Sequence, residues 1–80
     1  MKQSDLVRVS IDLLLQEKNN YGSPRIDVKV VKDSMLLVLD VRHYTHESCY
    51  EMMCDNKIFY QPVVDTAVKA WELIFERIAE

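Results

Sequence analysis

The sequence predicts a two-layer α+β domain in the order α-β-β-β-β-α, an antiparallel β-meander of three to four strands with N- and C-terminal helices packed on one face. Three observations carry that expectation. A run of apolar residues at helical spacing opens the chain, a cleaner one closes it, and the residues between alternate apolar and polar side chains with the period of two that strands require. The composition agrees with one small globular domain over residues 1–80: 49% hydrophobic and 29% charged side chains, one Gly and two Pro. A chain of this length buries only about 60% of its unfolded surface, so a dimer or a bound partner is a natural source of further stability.

Ser4 can cap a first helix whose opening turn carries Asp5 at the positive end of the dipole. Asp5, Arg8, Asp12 and Gln16 then fall on one narrow polar stripe. Leu6, Val7, Val9, Ile11, Leu13, Leu14 and Leu15 fill most of the remaining circumference, an arc wider than one sheet contact needs. Residues 19–24 hold the only Gly and a Pro and form the one clear loop. Ile26, Val28 and Val30 alternate with Arg25, Asp27 and Lys29 as a half-buried strand. After a turn at residues 32–34 a second run places Met35, Leu37, Leu39, Val41 and His43 on one side, and Leu36, Val38, Asp40 and Arg42 on the other. The two runs are expected to pair as a hairpin.

Residues 45–56 admit two readings. As a helix capped by Thr45, Glu47, Ser48, Glu51 and Asp55 lie opposite Cys49, Tyr50, Met52, Met53 and Cys54; the order then becomes α-β-β-α-α. As a strand, Ser48, Tyr50, Met52 and Cys54 share a face, and Asp55-Asn56 turns the chain into the aromatic and β-branched run of residues 57–60. The strand is preferred because that run needs a neighbour to pair with. Pro62 suits the first turn of the final helix, which carries Val64, Ala67, Val68, Trp71, Ile74, Phe75 and Ile78 on one face and Asp65, Lys69, Glu72, Glu76 and Glu80 on the other.

Ten Lys and Arg against thirteen Asp and Glu give a net charge of −3, the wrong sign for a domain that binds by neutralising phosphates. Residues 1–45 hold seven basic and six acidic side chains, residues 46–80 three and seven, so the acidic excess lies in the second half and would steer a partner with a basic surface toward it. The first residues lack an uninterrupted apolar stretch of the signal-peptide kind, and no segment is apolar enough to span a membrane. A cytoplasmic protein with free thiols at Cys49 and Cys54 is the expectation.

Four constellations are relevant to function. His43, His46, Cys49 and Cys54 are potential zinc ligands within twelve residues and make a zinc-stabilised module the alternative reading. The same residues, with Asp40 or Asp55, could on paper supply a nucleophile and base. A domain this small nevertheless leaves little room for a cleft of about 300 Å3, and the single Gly22 cannot build a phosphate cradle, so no enzyme and no cofactor are expected. An α-β-β-β-α order with both helices on one face resembles double-stranded RNA-binding domains in topology alone; residues 61–65 read Gln-Pro-Val-Val-Asp where a basic cluster would be needed, with no cation before Lys69. The fourth is the far face of the sheet, where Leu36, Val38, Tyr44 and Phe59 are more apolar than a solvated face requires.

The functional expectation is therefore a small acidic protein-interaction module that acts by binding, as an inhibitor, adaptor or accessory regulator, and that forms a homodimer. Small acidic proteins of phages and mobile elements resemble this profile at the level of general character only. Its contact surfaces are expected at Leu36, Val38, Tyr44 and Phe59 on the sheet and at the carboxylates Glu51, Asp65, Glu72 and Glu76. Nucleic acid and membrane are not expected partners.

Overall fold

The computed structural model describes residues 1–18 and 26–79. They form β1 (Leu6–Val9), β2 (Leu13–Gln16), β3 (Asp27–Val30), β4 (Met35–His43), β5 (Glu47–Cys54), β6 (Lys57–Val64), α1 (Asp65–Leu73) and β7 (Phe75–Ala79). The fold is mostly β. Five strands pair antiparallel in the order β6-β5-β4-β1-β7, and β2 and β3 form a separate two-stranded hairpin.

This corrects the expected α-β-β-β-β-α order in three places. The N-terminal helix is absent; its residues make β1, a turn and β2. The wide apolar arc was the signature of two short strands superposed on one helical wheel. Val7 and Val9 point into the core while Leu6 and Arg8 stay half exposed, and the branched Val side chains favour a pleated surface. A turn at residues 10–12 separates the strands, and the Asp12 carboxylate there accepts the Lys32 backbone N–H at 2.6 Å.

The hairpin between residues 25–32 and 35–43 is also absent. β3 pairs with β2, Leu13 opposite Val30 and Leu15 opposite Val28, whereas β4 pairs with β1 and β5. Asp33 takes positive φ, and its N–H reaches the Val9 carbonyl at 2.8 Å, so the turn crosses from one sheet to the other. The loop predicted at residues 19–24 lies outside the described residues, as does Arg25.

The final helix is confined to Asp65–Leu73 and gives way to β7. Ala67, Val68, Trp71 and Ile74 pack on the core as the helical spacing implied. The Ile74 carbonyl is then captured twice by Ser10, from its N–H at 2.8 Å and its hydroxyl at 2.6 Å. That contact delivers Phe75 opposite Val9, and residues 75–79 continue along β1 as a strand. Tertiary pairing overrides helical periodicity here.

Residues 45–56 take the strand reading, which also removes the α-β-β-α-α alternative. Asp55 and Asn56 both have positive φ (50° and 64°), the geometry of a two-residue turn whose twist matches the strands it joins. Pro62 lies in edge strand β6, where its missing N–H interrupts no second ladder. Without an N-terminal helix, the topological resemblance to double-stranded RNA-binding domains is lost.

The core lies between one face of the five-stranded sheet and a layer made of the β2–β3 hairpin and α1. It is built from Val7, Val9, Leu36, Val38, Tyr50, Met52, Phe59, Val63 and Phe75, closed by Leu15 and Val30 from the hairpin. Trp71 ties the helix down, edge-on to Phe75 at 4.9 Å and tilted against Tyr50 at 6.0 Å. No helix among the described residues is long and apolar enough to cross a membrane.

Candidate functional site

The register of the five-stranded sheet dictates what its second, outer face presents. Leu6 is opposite Leu37, Leu37 opposite Met53, and Met53 opposite Ile58. Partners in register share a face, so one apolar row crosses β1, β4, β5 and β6. On β7 the register partner of Leu6 is Ala79, and an irregularity between Leu6 and Val7 leaves the exposed Ile78 as an extra residue beside the end of the row. No helix or strand among the described residues covers this row. Met53 and Ile58 are each 37% exposed, Ile78 is 43% exposed, and Met35 beside them is 55% exposed.

Charged pairs closed within the chain border the row. On one flank Arg8, in register with both Met35 and Glu76, donates to the Glu76 carboxylate at 2.7 Å. That hydrogen bond, and then the carboxylate charge, hold the guanidinium proton more firmly than usual. On the other flank Asp40, Glu51 and Tyr60 share the next row. Asp40 accepts from Arg42 Nε at 2.9 Å, and Glu51 from Lys18 Nζ at 3.1 Å. Farther along β5, Glu47 is opposite Val64 and lies away from the apolar row.

A second feature opens on the inner side, where a cavity of about 430 Å3 is lined by Met1, Lys2, Asp5, Val7, Glu72, Phe75 and Arg77. It exceeds the room the chain length implied. Its polar groups are already engaged with one another. The buried Asp5 accepts the Lys2 backbone N–H at 3.0 Å and faces Arg77 Nε at 3.7 Å. Glu72 accepts the Tyr50 hydroxyl at 3.0 Å and the Met1 ammonium. Burial first, then that hydrogen bond and the Glu72 charge, push the Tyr50 phenol well above its ordinary value.

The residues singled out from sequence are dispersed by this fold. Leu36 and Val38 are fully buried and Phe59 nearly so, all in the core, so they form no surface. Leu39 explains the inversion. Val38 is opposite Met52 and Asp40 opposite Glu51, with an irregularity between them. That extra residue reverses the parity of β4, so Leu36, Val38 and Val41 share the inner side and Leu37 takes the outer one. Tyr44 is exposed in the β4–β5 turn, where its N–H bonds the Glu47 carbonyl at 2.8 Å. Glu51 and Glu76 border the row, Asp65 opens α1, and Glu72 turns inward to the cavity. Asp65, Glu72 and Glu76, expected to share one face of the final helix, are thus divided among three places.

The four candidate zinc ligands do not converge. His43 is in register with Ser48 and its Nδ1 lies 2.9 Å from the Ser48 hydroxyl, while Cys49, next along β5, points to the opposite side. Cys54 is at the far end of the strand, its thiol pushed upward by burial and then by Asp55. No group of three or more His, Cys, Asp or Glu side chains suited to a metal ion occurs among the described residues.

Leu6, Leu37, Met53 and Ile58 were not predicted. Their alternation with Val7, Leu36, Met52 and Phe59 is visible in the sequence, but only strand register joins them into one row. Comparison with protein-family models, curated proteins and solved structures finds no match to this chain.

Proposed function

We propose that this protein is a small interaction module that acts by binding another protein, as an inhibitor, adaptor or accessory regulator, and that the outer face of its five-stranded sheet is the contact surface. The supporting observation is the apolar row from Leu6 to Ile58. An antiparallel sheet with one face on the core ordinarily turns polar residues to solvent on the other. Here a large aliphatic or thioether side chain occupies the outer position on β1, β4, β5 and β6 at the same level. Contiguous exposed apolar surface with a charged border is the anatomy of a protein contact.

The carboxylates Glu51, Glu72 and Glu76 already have partners inside the chain, so the row, rather than acidic attraction to a basic surface, supports the reading. The test is capture from extract of the native cells with immobilised wild-type protein beside a folded Leu37→Asp variant. A protein retained in near-stoichiometric amount by the wild type and lost by the variant is the expected result. The same proteins held equally by both would end the proposal.

A further inference from the structure

We infer that the occupant of the outer sheet face is a second copy of this chain, an inference that rests on the interaction reading above and names its partner. Three properties of the face point to self-association.

The row is centred. Leu37 on β4 and Met53 on β5 form its middle, with Leu6 on β1 to one side and Ile58 on β6 to the other. A twofold axis lying between two such faces and running along the row sets each member against itself, Leu37 against Leu37 of the second copy. An axis along the strands, between β4 and β5, sets Leu37 against Met53 and Leu6 against Ile58. Each orientation brings apolar side chains together, the self-complementarity that a twofold contact requires.

The border is neutral toward a copy of itself. Arg8–Glu76, Arg42–Asp40 and Lys18–Glu51 are each closed within the chain. A face shaped for a strongly charged partner would leave charge of one sign open around the row. With these pairs closed, two chains of net charge −3 can meet there without bringing unpaired charges into contact.

The size is sufficient for a reversible contact. Five strands about 4.8 Å apart, taken over about six residues of strand, offer a face on the order of 500 Å2. Two copies together approach the roughly 1,000 Å2 at which specific interfaces begin, so a dissociation constant in the micromolar range is expected. The free edge at β7 is a poorer site for a copy, because Glu76 and Arg77 occupy its middle and charged edges resist strand addition.

Sedimentation equilibrium of the wild type over about a thousandfold range around micromolar concentration reads the association directly. The expected result is a monomer–dimer equilibrium that added salt does not weaken. Leu37→Asp, which sets a carboxylate against the apolar row of the second copy, should raise the dissociation constant at least about 100-fold. Met53→Lys tests the same face at a half-exposed position should the first variant fail to fold, and Leu73→Asp, on the exposed end of α1, should leave association unchanged. A wild type that stays monomeric throughout overturns the second-copy inference, and the capture experiment then decides the interaction reading separately. A dimer that Met53→Lys and a folded Leu37→Asp both leave intact overturns the assignment of this face.

Discussion

The two faces of the five-stranded sheet are made from alternate residues of the same strands, and both carry apolar rows. On the inner face Val7 stands opposite Leu36, and Val38, Met52 and Phe59 stand in register, with exposures from 0% to 2%. One position away on each strand, Leu6, Leu37, Met53 and Ile58 stand in register on the outer face, and none of them is buried. Hydrophobicity alone does not distinguish these rows. What distinguishes them is the chain that follows or precedes: the hairpin and α1 close over one face only. An apolar row left outside that cover has the composition of a core without its second layer, which is why a protein contact is the natural reading of it.

The largest effect should separate neighbours in β4. Leu36→Asp places a charge in the core, costing several kcal/mol against a total stability of about 4–12 kcal/mol for a domain of this length. The cooperative melt followed by circular dichroism should vanish, while Leu37→Asp melts as a folded protein. Equal damage from both would erase the distinction between the faces. The covering hairpin gives the next contrast. Leu15→Ala should cost about 2–4 kcal/mol in urea unfolding, and Leu14→Ala, exposed on the opposite side of β2, less than about 0.5 kcal/mol.

The polar seam between α1 and the sheet is a smaller test. Tyr50→Phe removes the hydroxyl bonded to Glu72 and should cost about 1 kcal/mol. Because the folded state raises the Tyr50 phenol above its unfolded value of about 10, both states keep the proton below that pH and stability is unaffected. Above it the unfolded chain ionises first, so stability falls as pH rises. Urea midpoints in the alkaline range should show this fall in the wild type and a shallower one in Tyr50→Phe. Smallest of all, Asn56→Gly relieves a non-glycine residue at positive φ in the β5–β6 turn and should raise the midpoint by a few tenths of a kcal/mol.

Strand existence was legible where alternation was long: β4 lies within the run read from residues 35–43, and β5 and β6 follow from Tyr50, Met52 and the aromatic run after Asn56. Pairing was less legible. β1 and β2 are four residues each, too short to show a period, and their leucines and valines fit a helical wheel equally well. β7 is a strand because Ser10 and β1 receive it, contacts with residues far away in sequence. The choice of inner face turned on the single extra residue in β4, which sets Val41 on the side of Leu36 and Val38 and Asp40 on the side of Leu37. The candidate row was invisible for the same reason: each member is an ordinary apolar residue, and only register aligns them.

The position of β1 between β4 and β7 also sets an order of events for the folding chain. Val7 pairs with Leu36 on one side and with Arg77 on the other, so one edge of the first strand is completed by nearly the last described residues. Contacts of such sequence separation are slow to close, and a β-rich domain dominated by them folds on the millisecond-to-second scale. During synthesis β1 therefore waits with an open edge, and the row from Leu6 to Ile58 is exposed beside it. Both are templates for association between unfinished chains. The arrival of residues 75–79 closes the edge but leaves the face. What begins as a general hazard of the nascent chain is thereby narrowed, on completion, to one defined surface.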